Sequence, residues 1–445
     1  MLSKEKSISQ LGFYSTFEEQ LNHQHPLYKL SNQLHWAVFD EAFKKFYSQS
    51  QGRPGKPIRL MVSLLILKQL RNLSDESVVE QWSENAFYQY FSGEKIFASK
   101  QPCVPTELVE FRKRIGESGI ELIFKESIRV NGNDAADDNL SGDTTIQEKN
   151  ITYPTDDKLY KKIISKCRSI AEKEGIELRP SYIFTVKKLS TIQRFRRNKG
   201  GDAKARKASK KIKTIAGRLI RDVERKLSAE ALMNYSLDLN LFKKVLLQKR
   251  GDSNKIYSLH EPEVKCYTKG KEHKRFEFGS KASFLITQNT GVIVGALNFT
   301  ETLHDSKTVS QALEQYHRLM NKEPKHIFLD RGYRGPKKIG NTELHTPKPE
   351  KNITASKRKR YKRRAVIELV IGHLKHDYRM IRNYLKGTTG DAINVMLAAA
   401  AMNFKRIMNK WKEDIFLFLY CIVNLFKTQS IPLRTNQIII WKSTF

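Results

Sequence analysis

The sequence predicts a mixed α/β protein whose strand-and-helix core is preceded by helices and split by a long, basic, all-helical block. Three observations carry that expectation. From His25 to about Val130 the periodicity is helical throughout. Strand-rich stretches open at Gly142 and return only after Gly251, and between Asp156 and Arg250 lysine- and arginine-rich helical patterns replace them. A last amphipathic helix, Tyr361 to Lys375, carries a single acid, Glu368, among bases.

Composition bounds the answer before any element is placed. A chain of 445 residues, 39% hydrophobic and 10% aromatic, has the material for roughly two to four folded domains. Its 80 Lys+Arg against 47 Asp+Glu give a net charge of +33, a field that attracts a polyanion, with nucleic acid the first candidate partner. The four cysteines, Cys103, Cys167, Cys266 and Cys421, have no paired spacing of the kind that makes zinc sites or disulfide frameworks. Neither a signal peptide nor a membrane span is expected. The N-terminus lacks an apolar core, and the apolar run Ile415 to Phe426 is shorter than the about 20 residues a bilayer requires, so it reads as a packing helix.

Taken in order, Pro57 opens the apolar run Ile58 to Leu70, and Ser74 caps a second helix from Asp75 to Asn85. Bases are sparse there and Val79 and Trp82 look like core, so a helical bundle is favoured over a DNA-reading helix-turn-helix. Thr106 caps a segment from Glu107 to Ile115, and Gly119 begins another. The polar stretch Asn131 to Ser141 reads as a linker, and Gly142 to Pro154 as a strand and its exit turn with Asp143 near the start. In the basic block, helices run from Lys158 to Glu174 and from Ala203 to Leu227, with Arg196 and Arg197 between them and Lys210 and Lys211 on the second. Charge so largely of one sign repels itself unless phosphates lie against it, which points to DNA contact.

After Gly251, Phe276–Thr287 and Val292–Thr300 flank the turn Gln288 to Gly291 as a hairpin. A helix from Ser306 to Met320 leads to the short strand His326 to Asp330, then to a strand from Glu343 to Pro347. On the closing helix, about 100° per residue places Tyr361, Arg364, Glu368 and Lys375 within a sector of roughly 60°, opposite Ile367, Val370, Leu374 and Ile381. Thr389 to Trp411 is free of proline, and its run Ala398 to Ala401 allows close packing.

Asp143, Asp330 and Glu368 thus fall at a strand start, a strand end and a polar helix face. Separate elements of an α/β sheet can gather such acids at one edge. Carboxylates suit hard divalent ions, and bases beside them suit phosphate oxygens. Each acid also has a structural reading: Asp143 as a turn residue, Asp330 as the cap of the Gly332/Gly335 loop, Glu368 as the i,i+4 partner of Arg364.

Three stretches together resemble the DDE transposases of bacterial insertion sequences, in their insertion-sequence-five/four-like group. They are Asp143-Thr-Thr-Ile-Gln-Glu-Lys-Asn-Ile-Thr-Tyr-Pro-Thr-Asp156, Leu329-Asp-Arg-Gly-Tyr-Arg-Gly335, and the spaced set Tyr361, Arg364, Glu368 and Lys375. The leading helical region also looks like the one that precedes that family's core, and the resemblance spans about His25 to Trp411. It implies a ribonuclease H-like catalytic core with the basic block inserted after its first strand. The corresponding division is 1–130 for DNA-end binding or dimerisation, 131–155 for linker and first strand, 156–250 for the insertion, 251–411 for the rest of the core, and 412–445 for a tail outside the signature.

The resemblance further implies Asp143, Asp330 and Glu368 as catalytic acids and as ligands of two Mg²⁺ ions, for which Mn²⁺ substitutes. The activity implied is cleavage of element ends and joining of the freed 3′-hydroxyl to target DNA. Tyr361, Arg364, Lys375, Arg331 and Arg334 would contact DNA, alongside Arg196, Arg197, Lys210 and Lys211. The implied partners are double-stranded DNA, as terminal inverted repeats and target, and a second copy in a homodimer, with no membrane. The implied location is the bacterial cytoplasm at the nucleoid. His304-Asp305 resembles a further family feature near the site. The alternative is a transposase-derived protein that binds DNA without turnover.

Overall fold

The computed structural model describes residues 15–48, 52–249, 251–268, 275–347 and 353–427, with side chains as far as Glu413. The apolar run 415–426 lies within a helical backbone, but its side chains, Cys421 included, and the chain past 427 fall outside the described residues.

Helices α1 (Phe17–Gln20), α2 (Pro26–Gln33) and α3 (Trp36–Lys44) lead to α4 (Ile58–Leu70), buried at every position except Arg59. A helix apolar all round belongs at a centre, and the others wrap it. α5 (Asp75–Glu84) starts under the expected cap, with the Ser77 N–H donating to Ser74 Oγ at 3.0 Å. After α6 (Ala86–Phe91), α7 (Pro105–Val130) begins one residue before Thr106. Its opening is closed by Glu107, whose Oε2 accepts the Val104 N–H at 2.9 Å. The helix is interrupted at Gly116 (φ 60°, ψ −163°), not at Gly119 as the sequence suggested. Positive φ suits the glycine at 116, whereas Gly119 lies inside the helix with Phe43 packed 3.1 Å from where a Cβ would stand.

A 3₁₀ turn (Gly132–Ala135) precedes β1 (Asn139–Glu148), which starts inside the stretch read as linker and puts Asp143 at mid-strand. Polar residues at its start are held by neighbours: Ser141 Oγ accepts from Gln288 Nε2 at 3.2 Å, and the Asn139 backbone N–H donates to Asp137 at 2.9 Å. The basic block follows as α8 (Asp156–Lys173), α9 (Ile183–Arg194), α10 (Gly201–Lys226) and α11 (Ala229–Leu247). It closes on its own apolar core, in which Ile163, Ile212, Leu219 and Phe242 meet.

The sheet resumes with β2 (Lys265–Thr268), β3 (Phe276–Thr287) and β4 (Ile293–Phe299). Then come α12 (Asp305–Met320), β5 (His326–Phe328), β6 (Lys338–Ile339), β7 (Thr342–His345), α13 (Ala355–Arg364), α14 (Val366–His376) and α15 (Gly387–Lys427). Strand order is β2-β3-β1-β5-β7-β6, with β4 also on β3. β3 runs antiparallel to β1, and β5 and β7 run parallel to it and to one another.

The helix expected over Tyr361 to Lys375 is two helices joined at Ala365. The join keeps a right-handed backbone but tightens, with the Glu368 N–H reaching only the Ala365 carbonyl. Ile367, Val370 and Leu374 are buried as expected, whereas Ile381 lies beyond the end of α14 and is exposed.

α15 ties the molecule together, packing on α2, α4, α7 and β4 within one apolar core shared by the leading helices and the sheet. Ala398 to Ala401 are at most 1% exposed where they pack there. No helix among the described residues is long and apolar enough to cross a membrane.

Candidate active site

Strand register brings the first two acids together. Parallel β1 and β5 pair Ser141 with Phe328, the last residue of β5, and the chain just past that pair carries Asp143 and Asp330 to the walls of the same cavity. One step back, Gly142 is opposite Leu329, whose Cδ2 lies 2.8 Å from where a Cβ on Gly142 would be. A side chain at 142 would therefore require the Leu329 side chain to shift. Asp143 and Asp330 line one small cavity, together with Thr144, Tyr333 and Asp305.

Local hydrogen bonds aim these groups. Asp143 Oδ1 accepts the Thr144 N–H at 2.7 Å, and Asp330 Oδ1 accepts the Tyr333 N–H at 3.1 Å, so Asp330 does cap its glycine loop. Gly332 would set a Cβ 3.2 Å from the Asp330 carboxylate, so a side chain there would press on that acid. Asp305, at the start of α12, accepts from Thr144 Oγ1 and Lys281 Nζ, both at 2.8 Å. His304 beside it caps α12, taking the Ser306 N–H at 3.2 Å.

The third acid stands apart. α14 packs against β1, and Glu368 on its first turn is 63% exposed and paired with Arg364 Nη2 at 3.1 Å. It is not a wall of the cavity that holds Asp143 and Asp330. Among the described residues one trio of metal-ligating side chains has donor atoms within 4.8 Å of one another, and that trio is His326, Glu343 and His345. Asp143, Asp330 and Glu368 are therefore neighbours rather than a closed ligand set.

Electrostatics nonetheless couple all three. Burial pushes the Asp143 carboxyl up to about 6, and the charges of Asp330 and Glu368 push the same way, against the Thr144 N–H and the Arg364 guanidinium. A buried carboxylate held up by like charges is relieved by a cation, and an all-oxygen donor set is the kind Mg²⁺ takes. The residues fit such an ion in chemistry. Arg364 contributes a second feature: its Nη1 is buried without a hydrogen-bond partner among the described residues, a donor suited to a phosphate oxygen.

The other sequence-derived DNA-contact candidates divide. Tyr361 is turned inward, its hydroxyl on the Thr346 carbonyl at 3.2 Å and its ring edge-on to Phe328. Lys375 is half-buried on the last turn of α14. Arg331 and Arg334 are exposed on the loop after Asp330, and Arg197, Lys210 and Lys211 are exposed on the basic block. Arg196 is also exposed, but its Nε is tied to Asp202 at 2.6 Å.

Asp305, which the sequence marks only as part of the His304-Asp305 pair, is a wall of the cavity. One feature is not assigned from sequence. The trio around His326 had a partial signal, because Glu343 and His345 at i,i+2 share one face of a strand.

The site is an α/β sheet edge with two carboxylates in one cavity and a third acid on an adjoining helix, and comparison with known sequences gives its class. A model described as "Transposase domain (DUF772)" matches residues 15–114, and one described as "Transposase DDE domain" matches residues 251–404. The chain is 37% identical over 187 residues to "Uncharacterized protein ORF8 in nfe locus" of Rhizobium meliloti, an alignment covering 41% of this chain and 90% of that protein. No solved structure matches. The chain belongs to the DDE transposase family. Asp330 and Glu368 fall inside the matched DDE region, whereas Asp143 and the basic block lie between the two matches.

Proposed function

We propose that this transposase cleaves the ends of its element and joins the freed 3′-hydroxyl to target DNA, with Asp143, Asp330 and Glu368 as the catalytic acids. The observation that carries the reading is that Asp143 and Asp330 share one cavity past the β1–β5 pairing, with the charges of Arg364 and Glu368 near enough to act on Asp143. The sheet supports a ribonuclease H-like core, in which an antiparallel β1–β3–β4 edge is extended on its other side by parallel β5 and β7.

In this reading the three carboxylates hold divalent metal, Mg²⁺ by preference, which when bound supplies Lewis-acid stabilisation and a more acidic attacking oxygen. The chain's own groups do the rest. The free Nη1 of Arg364 takes a phosphate oxygen, and Arg331, Arg334 and Lys375 hold the flanking strand. The basic block, with Arg197, Lys210 and Lys211 outward, holds DNA further away, and two copies act on two ends. Glu368 joins the other acids only after leaving Arg364, and phosphate taking its place on the guanidinium would favour that exchange. The leading helices 1–130 serve end binding or dimerisation, and 156–250 is an insertion in the core.

Purified protein incubated in Mg²⁺ with DNA carrying the element's own ends should yield both nicked and joined products. Asp143→Ala, Asp330→Ala and Glu368→Ala should each remove them, and retention of activity in all three would overturn the assignment. Cleavage without joined product would indicate a simple nuclease. The exposed, Arg-paired Glu368 favours one alternative, a chain that binds DNA without turnover, for which salt-sensitive binding would occur with no product in any divalent ion.

A further inference from the structure

We propose that His326, Glu343 and His345 form a second metal site, distinct from the carboxylates around Asp143, that takes a borderline transition-metal ion of the Zn²⁺ type. His326 opens β5, and Glu343 and His345 lie on β7, with His326 paired to Glu343 and Phe328 paired to His345 across the two parallel strands. All three side chains therefore project from one face of the sheet.

Their donor atoms form a small triangle. His326 Nδ1 is 3.1 Å from His345 Nε2 and 3.4 Å from Glu343 Oε2, and His345 Nε2 is 3.5 Å from the same carboxylate oxygen. Ligands about 2.1 Å from a tetrahedral ion stand about 3.4 Å apart, so one ion placed just off the plane of this triangle reaches all three. Two imidazoles and one carboxylate are the donors Zn²⁺ accepts, whereas Mg²⁺ and Ca²⁺ prefer oxygen alone. Glu343 is 56% exposed, which leaves an entry path and room for a water as fourth ligand.

An ion here would join β5 to β7. β5 spans only three residues, and Asp330 follows two residues past its end. His345 also stacks on Phe328, which meets Tyr361 of α13 edge-on. The site thus braces the strand and the helix that lead to the candidate acids, at about 13 Å from Asp330 along the strand.

The test uses the full chain, stripped by chelator and kept in excess Mg²⁺ so that oxygen-only sites are filled. Zn²⁺ is titrated by calorimetry and Co²⁺ by visible absorption. One equivalent should bind, Co²⁺ should give the intense band of a four-coordinate site, and Zn²⁺ should raise the melting temperature. His326→Ala and His345→Ala should each weaken binding by about 100-fold or more. If either variant fails to fold by circular dichroism, the exposed Glu343→Gln carries the comparison with the same expected direction. The proposal is overturned if the wild-type chain takes no Zn²⁺ in excess Mg²⁺. It is equally overturned if folded variants bind as tightly as wild type, or if Asp330→Ala alone removes the binding.

Discussion

Asp75 shows how much can hang on one side chain. It sits in the first turn of α5, where Arg112 of α7 grips both its oxygens at 2.8 and 2.6 Å and Lys68 of α4 reaches it at 2.8 Å. Burial alone would raise its pKa, but the Arg112 hydrogen bonds and the charges of Lys68 and Arg112 prevail and hold it at about 2. Lys68, pushed down to about 8 by burial, is the weaker partner, and Arg112 carries the pair. Because the folded value lies below the ordinary 3.8, the stability this acid contributes is present above 3.8 and lost as pH falls toward 2. Asp75→Asn should leave two buried cations uncompensated and cost about 3–5 kcal/mol at neutral pH. The gap between variant and wild type should close as pH drops below 3.8, and urea unfolding across that range checks both. The cap at Ser74 was legible in sequence because its acceptor and donor are three residues apart. Arg112 lies 37 residues from Asp75, and only the packing of α7 on α5 makes it a partner.

At the scale of elements, what the sequence made legible were signals that act locally. The proline-free alanine run of α15, the hairpin turn before Gly291 and the burial of α4 all follow from residue type and spacing. β1 was read three residues short because Asn139 and Ser141 look like linker until their partners on Asp137 and Gln288 are known. The joint at Ala365 carries no glycine or proline, so the helix read as continuous, and β2 and β6 are too short to show a period. Asp143 and Asp330 could be named from sequence, but their adjacency is a property of β1–β5 register, and the standoff of Glu368 depends on which way Arg364 turns. The alanine run offers a direct check on packing. Ala399 is fully buried where α15 threads the shared core, so Ala399→Leu should overpack it and cost about 1–3 kcal/mol, visible as a lower melting temperature. An unchanged melting point would mean the core has slack that the burial pattern does not suggest.

Over the whole molecule, charge and packing are separated in a way that makes DNA binding testable without disturbing the fold. The leading helices, the sheet and α15 share one apolar core, whereas α8 to α11 close on their own. α10 buries Ala208, Ile212, Ile215 and Leu219 on one side and turns Lys210 and Lys211 outward, so the +33 net charge has an exterior face there that packing does not need. If that face lies on DNA, replacing both lysines with alanine should make the slope of log affinity against log salt shallower by about 2, at about 0.9 for each phosphate no longer neutralised. Stability should move by less than about 0.5 kcal/mol, since both positions are exposed. Asp143→Ala should behave in the opposite way, leaving the salt slope as in wild type while removing product. A chain in which the two effects cannot be separated, with the lysines altering turnover at saturating DNA or Asp143 altering the slope, would place the basic block at the reacting strand rather than along the flanking duplex.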